Sequence, residues 1–134
     1  MKARYFRLMD TKQWDAWALV FTDDAVMEVP EAGMVVAGRD SIVASVSAAL
    51  EGTITVHHGH MPEIELTGET TASGVWALED YNIYVDGSQS HGWGHYLETY
   101  EKIDGRWYIK TSSDRKSTRL NSSHIPLSRM PSSA

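Results

Sequence analysis

The sequence predicts an α+β domain in which helices pack on one face of a curved antiparallel β-sheet. Apolar residues recur at helical spacing only within the first fifty positions, whereas long runs rich in Val, Thr, Trp and Tyr fill positions 53–112. The breaks between those runs, "TGET", "VDGSQ" and "IDGR", are turn chemistry, Gly mostly beside Asp, which tolerates positive φ. Helices first and a meander afterwards leave the helices one sheet face to cover.

Taken in order, Lys2 to Met9 reads as a helix. Asp10, with Gln13 three residues on, fits the N-cap of a second helix over Thr11 to Phe21, with Trp14, Trp17, Ala18 and Phe21 on one face. Residues 24–30 and 33–37 alternate weakly around "PEAG" and suggest a short hairpin. Asp40 fits the N-cap of a third helix carrying Ile42, Val43, Val46 and Leu50. Strands are expected near 53–66, 70–85, 90–103 and 106–112, and no internal repeat is visible.

At 134 residues the chain makes one domain with a modest core. It has no cysteine, which removes disulfides, thiolate catalysis and cysteine-ligated metals. There is no long apolar run, and "MKARYFRLMD" lacks the apolar stretch of a secretion signal, so a soluble cytoplasmic protein without membrane contact is expected. The formal charge of −6 argues against nucleic acid, which needs clustered Lys and Arg.

The charge is uneven. Residues 114–134 hold Arg115, Lys116, Arg119 and Arg129 against Asp114, a net +3 in a chain of −6, so the first 113 residues carry −9. Six serines and no apolar period make this stretch read as an extension. Moreover, "DRKSTRLNSSH" and "SRMPSSA" reverse-translate to DNA that resembles a common short-read sequencing adapter. The expected division is a domain over 1–113 and a non-native tail over 114–134, continuing the last strand to about Leu120 and irregular beyond Asn121.

The segment "VHHGHMPEIEL" sets three histidines within four positions of an expected strand. Strict alternation puts His58 and His60 on one face with Ile54, Val56, Ile64 and Leu66, and His57 on the other with Thr55 and Met61, although Gly59 and Pro62 are residues that mark bulges. A His-x-His pair, with His91 or His95 from a neighbouring strand, could chelate a metal. No carboxylate or third histidine stands at a recognisable ligand spacing, so no metal is expected. The strand aromatics Trp76, Tyr81, Tyr84, Trp93, Tyr96, Tyr100, Trp107 and Tyr108 serve the core or line a small-molecule pocket.

"KARYFRLMDTKQWDAW", "HHGHMPEIEL", "TTASGVWALED" and "YEKIDGRWYI" together resemble the SnoaL-like branch of the NTF2-like superfamily, most closely the bile acid 7α-dehydratases. The resemblance runs from Lys2 to about Ile109 and implies a cone of curved antiparallel sheet closed by about three helices, assembled as a homodimer or homotrimer. It implies a cofactor-independent dehydratase acting on a small hydrophobic, steroid- or polyketide-like ring, with functional positions at Tyr5, Asp10, His57 and Asp80. Imidazole can take and give a proton at neutral pH, a carboxylate beside it selects the tautomer, and a phenol can donate to a developing oxyanion. His57 is then the base, Asp10 its partner and Tyr5 the donor; Asp80 is a second proton-transfer group or a pocket hydrogen-bonder. The family's basic residue on the last strand falls at Lys116, where an arginine is the rule. Each residue also has a plain role: Asp10 a cap, Tyr5 a helix residue with an exposed hydroxyl, His57 a surface histidine, Asp80 a solvated acid. A non-catalytic binding or oligomerisation domain and a ketosteroid-isomerase-type isomerase are the alternative functions.

Overall fold

The computed structural model describes residues 1–122. Helices α1 (Lys2–Asp10) and α2 (Trp14–Ala18) lead into strand β1 (Phe21–Val29), a single 3₁₀ turn at Pro30–Ala32 and strand β2 (Met34–Ala37). Helix α3 (Arg39–Ala49) follows, then strands β3 (Ile54–Leu66), β4 (Thr71–Ile83), β5 (Gln89–Ile103) and β6 (Arg106–Ser122). They form one six-stranded sheet in the order β2-β1-β6-β5-β4-β3.

All neighbours in the sheet are antiparallel except β1 and β6, which run parallel. The exception arises because β1 precedes the meander and returns to its last strand rather than to its first. The β5–β6 turn is a two-residue hairpin with Asp104 at φ 51° and Gly105 at φ 77°, which is what the "DG" pair requires.

Tyr5, Leu8 and Met9 of α1, Trp17 of α2 and Ile42 of α3 face Phe21, Leu78, Tyr96, Tyr100 and Ile109 across the concave side of the sheet. Trp17 anchors this core, edge-on to Phe21 at 4.9 Å and to Trp14 at 5.3 Å.

Three expectations are corrected. The second helix is Trp14–Ala18, not Thr11 to Phe21, because Phe21 instead starts β1 and pairs with Ile109. Its N-cap position is Gln13, not Asp10. Gly38, at φ 94°, occupies the N-cap of α3, and Asp40 lies in its first turn. The last strand continues past 112, in line with the expected extension to about Leu120, and reaches Ser122, pairing there with β5 from Gln89 to Leu97. The part of the expected tail beyond Ser122 lies outside the described residues. No described helix is long and apolar enough to cross a membrane.

Candidate active site

Helix α1 ends in a way that aims Asp10 at the sheet. Lys12 adopts φ 59°, and the chain closes with Lys12 N–H donating to the Met9 carbonyl at 3.1 Å and Gln13 N–H to Leu8 at 2.8 Å. This is a Schellman-type stop, made without the usual glycine. It leaves Asp10 as the last helical residue, where a carboxylate meets the negative end of the helix dipole. Three donors compensate. The backbone N–H of His57 donates to Asp10 Oδ2 at 2.8 Å, Thr55 Oγ1 donates to Oδ1 at 2.9 Å, and His57 Nδ1 lies 2.7 Å from Oδ1. Lys12 Nζ in turn donates to Thr55 Oγ1 at 3.0 Å.

His57 is brought there by β3. Thr55 and His57 point inward, while Ile54, Val56, His58 and His60 face out. Strict alternation fails after His60, because three residues of β3 span two of β4 between the His60–Ala77 and Glu63–Val75 pairs. The bulge centres on Met61, at φ 35° and 93% exposed, and it moves Ile64 and Leu66 onto the inner face with His57, opposite Gly74 and Ala72.

Phe6 lies nearly parallel to the imidazole, with ring centroids 6.4 Å apart and planes at 14°. Phe6 itself fits because residue 59 is glycine: a Cβ there would lie 2.7 Å from Phe6 Cε2. With Nδ1 held by a carboxylate, Nδ1 carries the proton and Nε2 the lone pair, a tautomer assigned from the bonding pattern. Nε2 has no hydrogen-bond partner among the described residues, and His57 lines a cavity of about 210 Å³.

Tyr5, Tyr96 and Tyr84 share that cavity with Met9, Met27, Met34, Val46 and Leu50. Burial, reinforced by the Glu98 and Asp114 carboxylates, pushes the Tyr5 hydroxyl well above the usual phenol range. Tyr96 is shifted the same way, by burial first and then by Tyr5. Both are therefore protonated at neutral pH and available as donors. The tryptophans lie elsewhere: Trp76 and Trp107 line a second apolar hollow, and Trp93 faces outward against His91.

Asp80 pairs across the sheet with His57, is buried, and lies on the same cavity. Its Oδ2 lies 2.7 Å from Lys116 Nζ, which also contacts Asp114 Oδ1 at 3.1 Å and Oδ2 at 3.2 Å. Oδ1 of Asp80 is buried without a hydrogen bond among the described residues and rests on Gly92, where a Cβ would come within 2.6 Å. Lys116 is therefore held by two carboxylates, and Arg119 by Glu31 at 3.4 Å.

The structure thus brings Tyr5, Asp10, His57 and Asp80 around one cavity, with Asp10 behind His57 rather than on the wall. Sequence reading missed Thr55, although its position two residues before His57 on the same face was a usable signal. It had Tyr84 and Tyr96 only among eight candidate aromatics, and it missed Asp114, which chain spacing does not reveal. His58, His60, His91 and His95 all lie on the outer face, and no group of three or more potential metal ligands occurs among the described residues.

A family model for the SnoaL-like domain matches residues 1–113. The chain belongs to the SnoaL-like domain family. Among solved structures, a candidate scytalone dehydratase from Novosphingobium aromaticivorans superposes with a TM-score of 0.82 at 20% identity, over 97% of this chain and 90% of that one. The LinA-type3 hexachlorocyclohexane dehydrochlorinase from Novosphingobium barchaimii matches with a TM-score of 0.82 at 18% identity, over 92% and 86%. A protein of unknown function from Mycobacterium tuberculosis matches with a TM-score of 0.76 at 26% identity, over 86% of this chain and 66% of that one. The SnoaL-like chain therefore has the NTF2-like cone fold, a curved, unclosed sheet wrapped around its helices.

Proposed function

We propose that this SnoaL-like protein is a cofactor-independent lyase, a dehydratase that removes water from a hydrophobic ring-containing substrate of steroid or polyketide type. The observation that supports it most is the Asp10–His57 pair, 2.7 Å apart, with the free Nε2 lining a cavity. In this reading Nε2 takes a proton from the carbon next to a carbonyl, and the electron pair moves into the carbonyl to give an enolate. Asp10 stabilises the imidazolium so formed, and Tyr5 donates to the enolate oxygen. The enolate then re-forms the carbonyl and a carbon–carbon double bond, the C–O bond to the hydroxyl breaks, and His57 returns its proton to the leaving hydroxide as water. Asp80 acts through Lys116, as part of the polar wall rather than as a second base. The dehydratase and dehydrochlorinase named for two structural neighbours agree with an elimination.

The cavity narrows the substrate. About 210 Å³ is below the roughly 300–1,000 Å³ of a site for a drug-sized ligand, so one or two rings fit and a larger skeleton must protrude. A free carboxylate on the substrate gains little from Lys116, which is already paired with two acids.

The test is a panel of one- and two-ring β-hydroxy ketones in deuterated buffer, followed for enone formation and for exchange at the α-carbon. Turnover or exchange that His57→Gln abolishes is the expected result. A panel that shows neither with the unsubstituted chain would remove the proposal. Exchange without loss of water would favour the isomerase reading.

A further inference from the structure

Directly beneath the two phenols of the cavity lies a charge that the proposed reaction does not use. The Lys2 side chain is only 2% exposed, and its Nζ sits 3.8 Å from the centroids of both the Tyr5 and the Tyr96 rings and 5.0 Å from Phe6. Its counterion, Glu98, has a fully buried side chain 2.8 Å away. Glu98 is fixed in turn by donors from Ser112 Oγ at 2.8 Å and the Tyr100 hydroxyl at 2.9 Å, and Tyr100 accepts from Trp76 Nε1 at 2.9 Å.

This arrangement is a poor way merely to attach α1 to the sheet. Removing two ions from water carries a desolvation cost that the pair's attraction often does not exceed, and an apolar side chain would suit the surrounding rings. Burial indeed drives the Lys2 ammonium below the usual lysine range, with Glu98 opposing that shift. What a cation alone can do here is polarise the aromatic faces it touches. Drawing π density from a phenol makes its hydroxyl more acidic and a stronger donor, and the gain is larger toward an anionic acceptor than toward a neutral one. The two rings pack edge to face with centroids 5.8 Å apart, so one ammonium reaches both. The Glu98 carboxylate opposes this by raising both hydroxyls, yet the ammonium is the end of the pair that lies over the two ring faces.

We propose that Lys2 is a positioning residue of the cavity, acting through Tyr5 and Tyr96 to make its wall selective for a ligand whose oxygen becomes anionic, an enolate or phenolate. This rests on the reading of the cavity as a place where charge develops on a substrate oxygen. The test is a binding measurement, so a failure to find turnover leaves it standing or falling separately.

The probe is 4-nitrophenol, whose absorbance reports the ionised fraction when bound, with nitrobenzene as a neutral ligand of similar shape. Lys2→Met combined with Glu98→Gln removes both charges without orphaning either. This chain is expected to lose about tenfold in affinity for the phenolate, with nitrobenzene binding unchanged. Lys2→Arg, which keeps the cation, is expected to retain most of the preference. If the double variant does not fold, Lys2→Gln, which still offers Glu98 a donor, removes the cation alone and is expected to lose at least as much phenolate affinity, again with nitrobenzene binding unchanged. Equal losses for both probes would show a structural role only and overturn the proposal. So would an unchanged phenolate fraction, or failure of the unsubstituted chain to bind the phenolate.

Discussion

Replacing Asp10 by Asn isolates what the carboxylate does for His57, because it changes one atom and one charge. Asp10 accepts three hydrogen bonds, two at Oδ1 and one at Oδ2. An amide has one oxygen. If that oxygen stays with the His57 backbone N–H, the amide nitrogen faces Nδ1 and donates to it, so the imidazole proton is driven to Nε2. If the amide flips, it presents N–H to N–H at the backbone and loses the 2.8 Å bond. The first arrangement is the cheaper one, since a buried backbone donor left unpaired costs about 1–3 kcal/mol.

The expected result is therefore a chain that folds, destabilised by about 2–3 kcal/mol through the weakened bonds, in which Nε2 carries hydrogen and cannot accept a proton. Long-range ¹H–¹⁵N NMR of the imidazole reads this without a substrate: Nε2 resonates as the bare nitrogen in the unsubstituted chain and as the protonated one in Asp10→Asn. Where turnover is measurable, a fall of about 10⁴ is expected by analogy with a triad whose orienting carboxylate is lost. The same tautomer in both chains would refute the reasoning, whatever happened to the melting temperature.

Three other outcomes follow from the same geometry. Burial raises the Tyr5, Tyr96 and Tyr100 hydroxyls above their usual range, so above pH 10 the unfolded chain releases protons that the folded chain retains, and stability falls as pH rises. Three such groups give a slope approaching roughly 4 kcal/mol per pH unit once all have titrated in the unfolded state; it is read from urea midpoints at alkaline pH, and a flat profile would count against their burial. Gly59→Ala, whose Cβ meets Phe6 at 2.7 Å, should cost about 1–3 kcal/mol and shift the His57 ring resonances, whereas unchanged resonances would mean that Phe6 does not orient the ring. A chain stopped after Asn121 should match the full chain in melting temperature and elution volume, while one stopped after Ser113 loses Lys116 from the buried Asp80 and should melt several degrees lower by calorimetry. Equal melting of both shortened chains would mean that residues 114–121 add no stability.

The elements were legible where local physics decides them. The "IDGR" turn, the hairpin around "PEAG" and the four long strands follow from turn chemistry and β-branched or aromatic runs, and α3 from its apolar spacing. The second helix was overestimated because Phe21 continues its apolar face equally well as the first residue of a strand. The face of Ile64 and Leu66 was misassigned because one inserted residue inverts parity, and neither Gly59 nor Pro62 says which residue is the extra one.

The chemistry was less legible, for a physical reason. Locally, Asp10 reads as a cap for α2; its actual partners are 45 and 47 residues away, and Lys2 meets Glu98 across 96. Such pairings leave only indirect traces in sequence, as residues that suit their local positions poorly. Asp10 is an acid at a helix C-terminus, Lys12 a non-glycine in the left-handed region, Met61 another at a bulge, and Lys2 an ion inside a core. Asp10 and Lys12 join the His57 hydrogen-bond network, Lys2 lies under the cavity's tyrosines, and the Met61 bulge sits on the His57 strand. A protein shaped only for packing would spread such costs or lose them. Their grouping behind His57, on its strand and under the two tyrosines is the pattern expected of the proposed site.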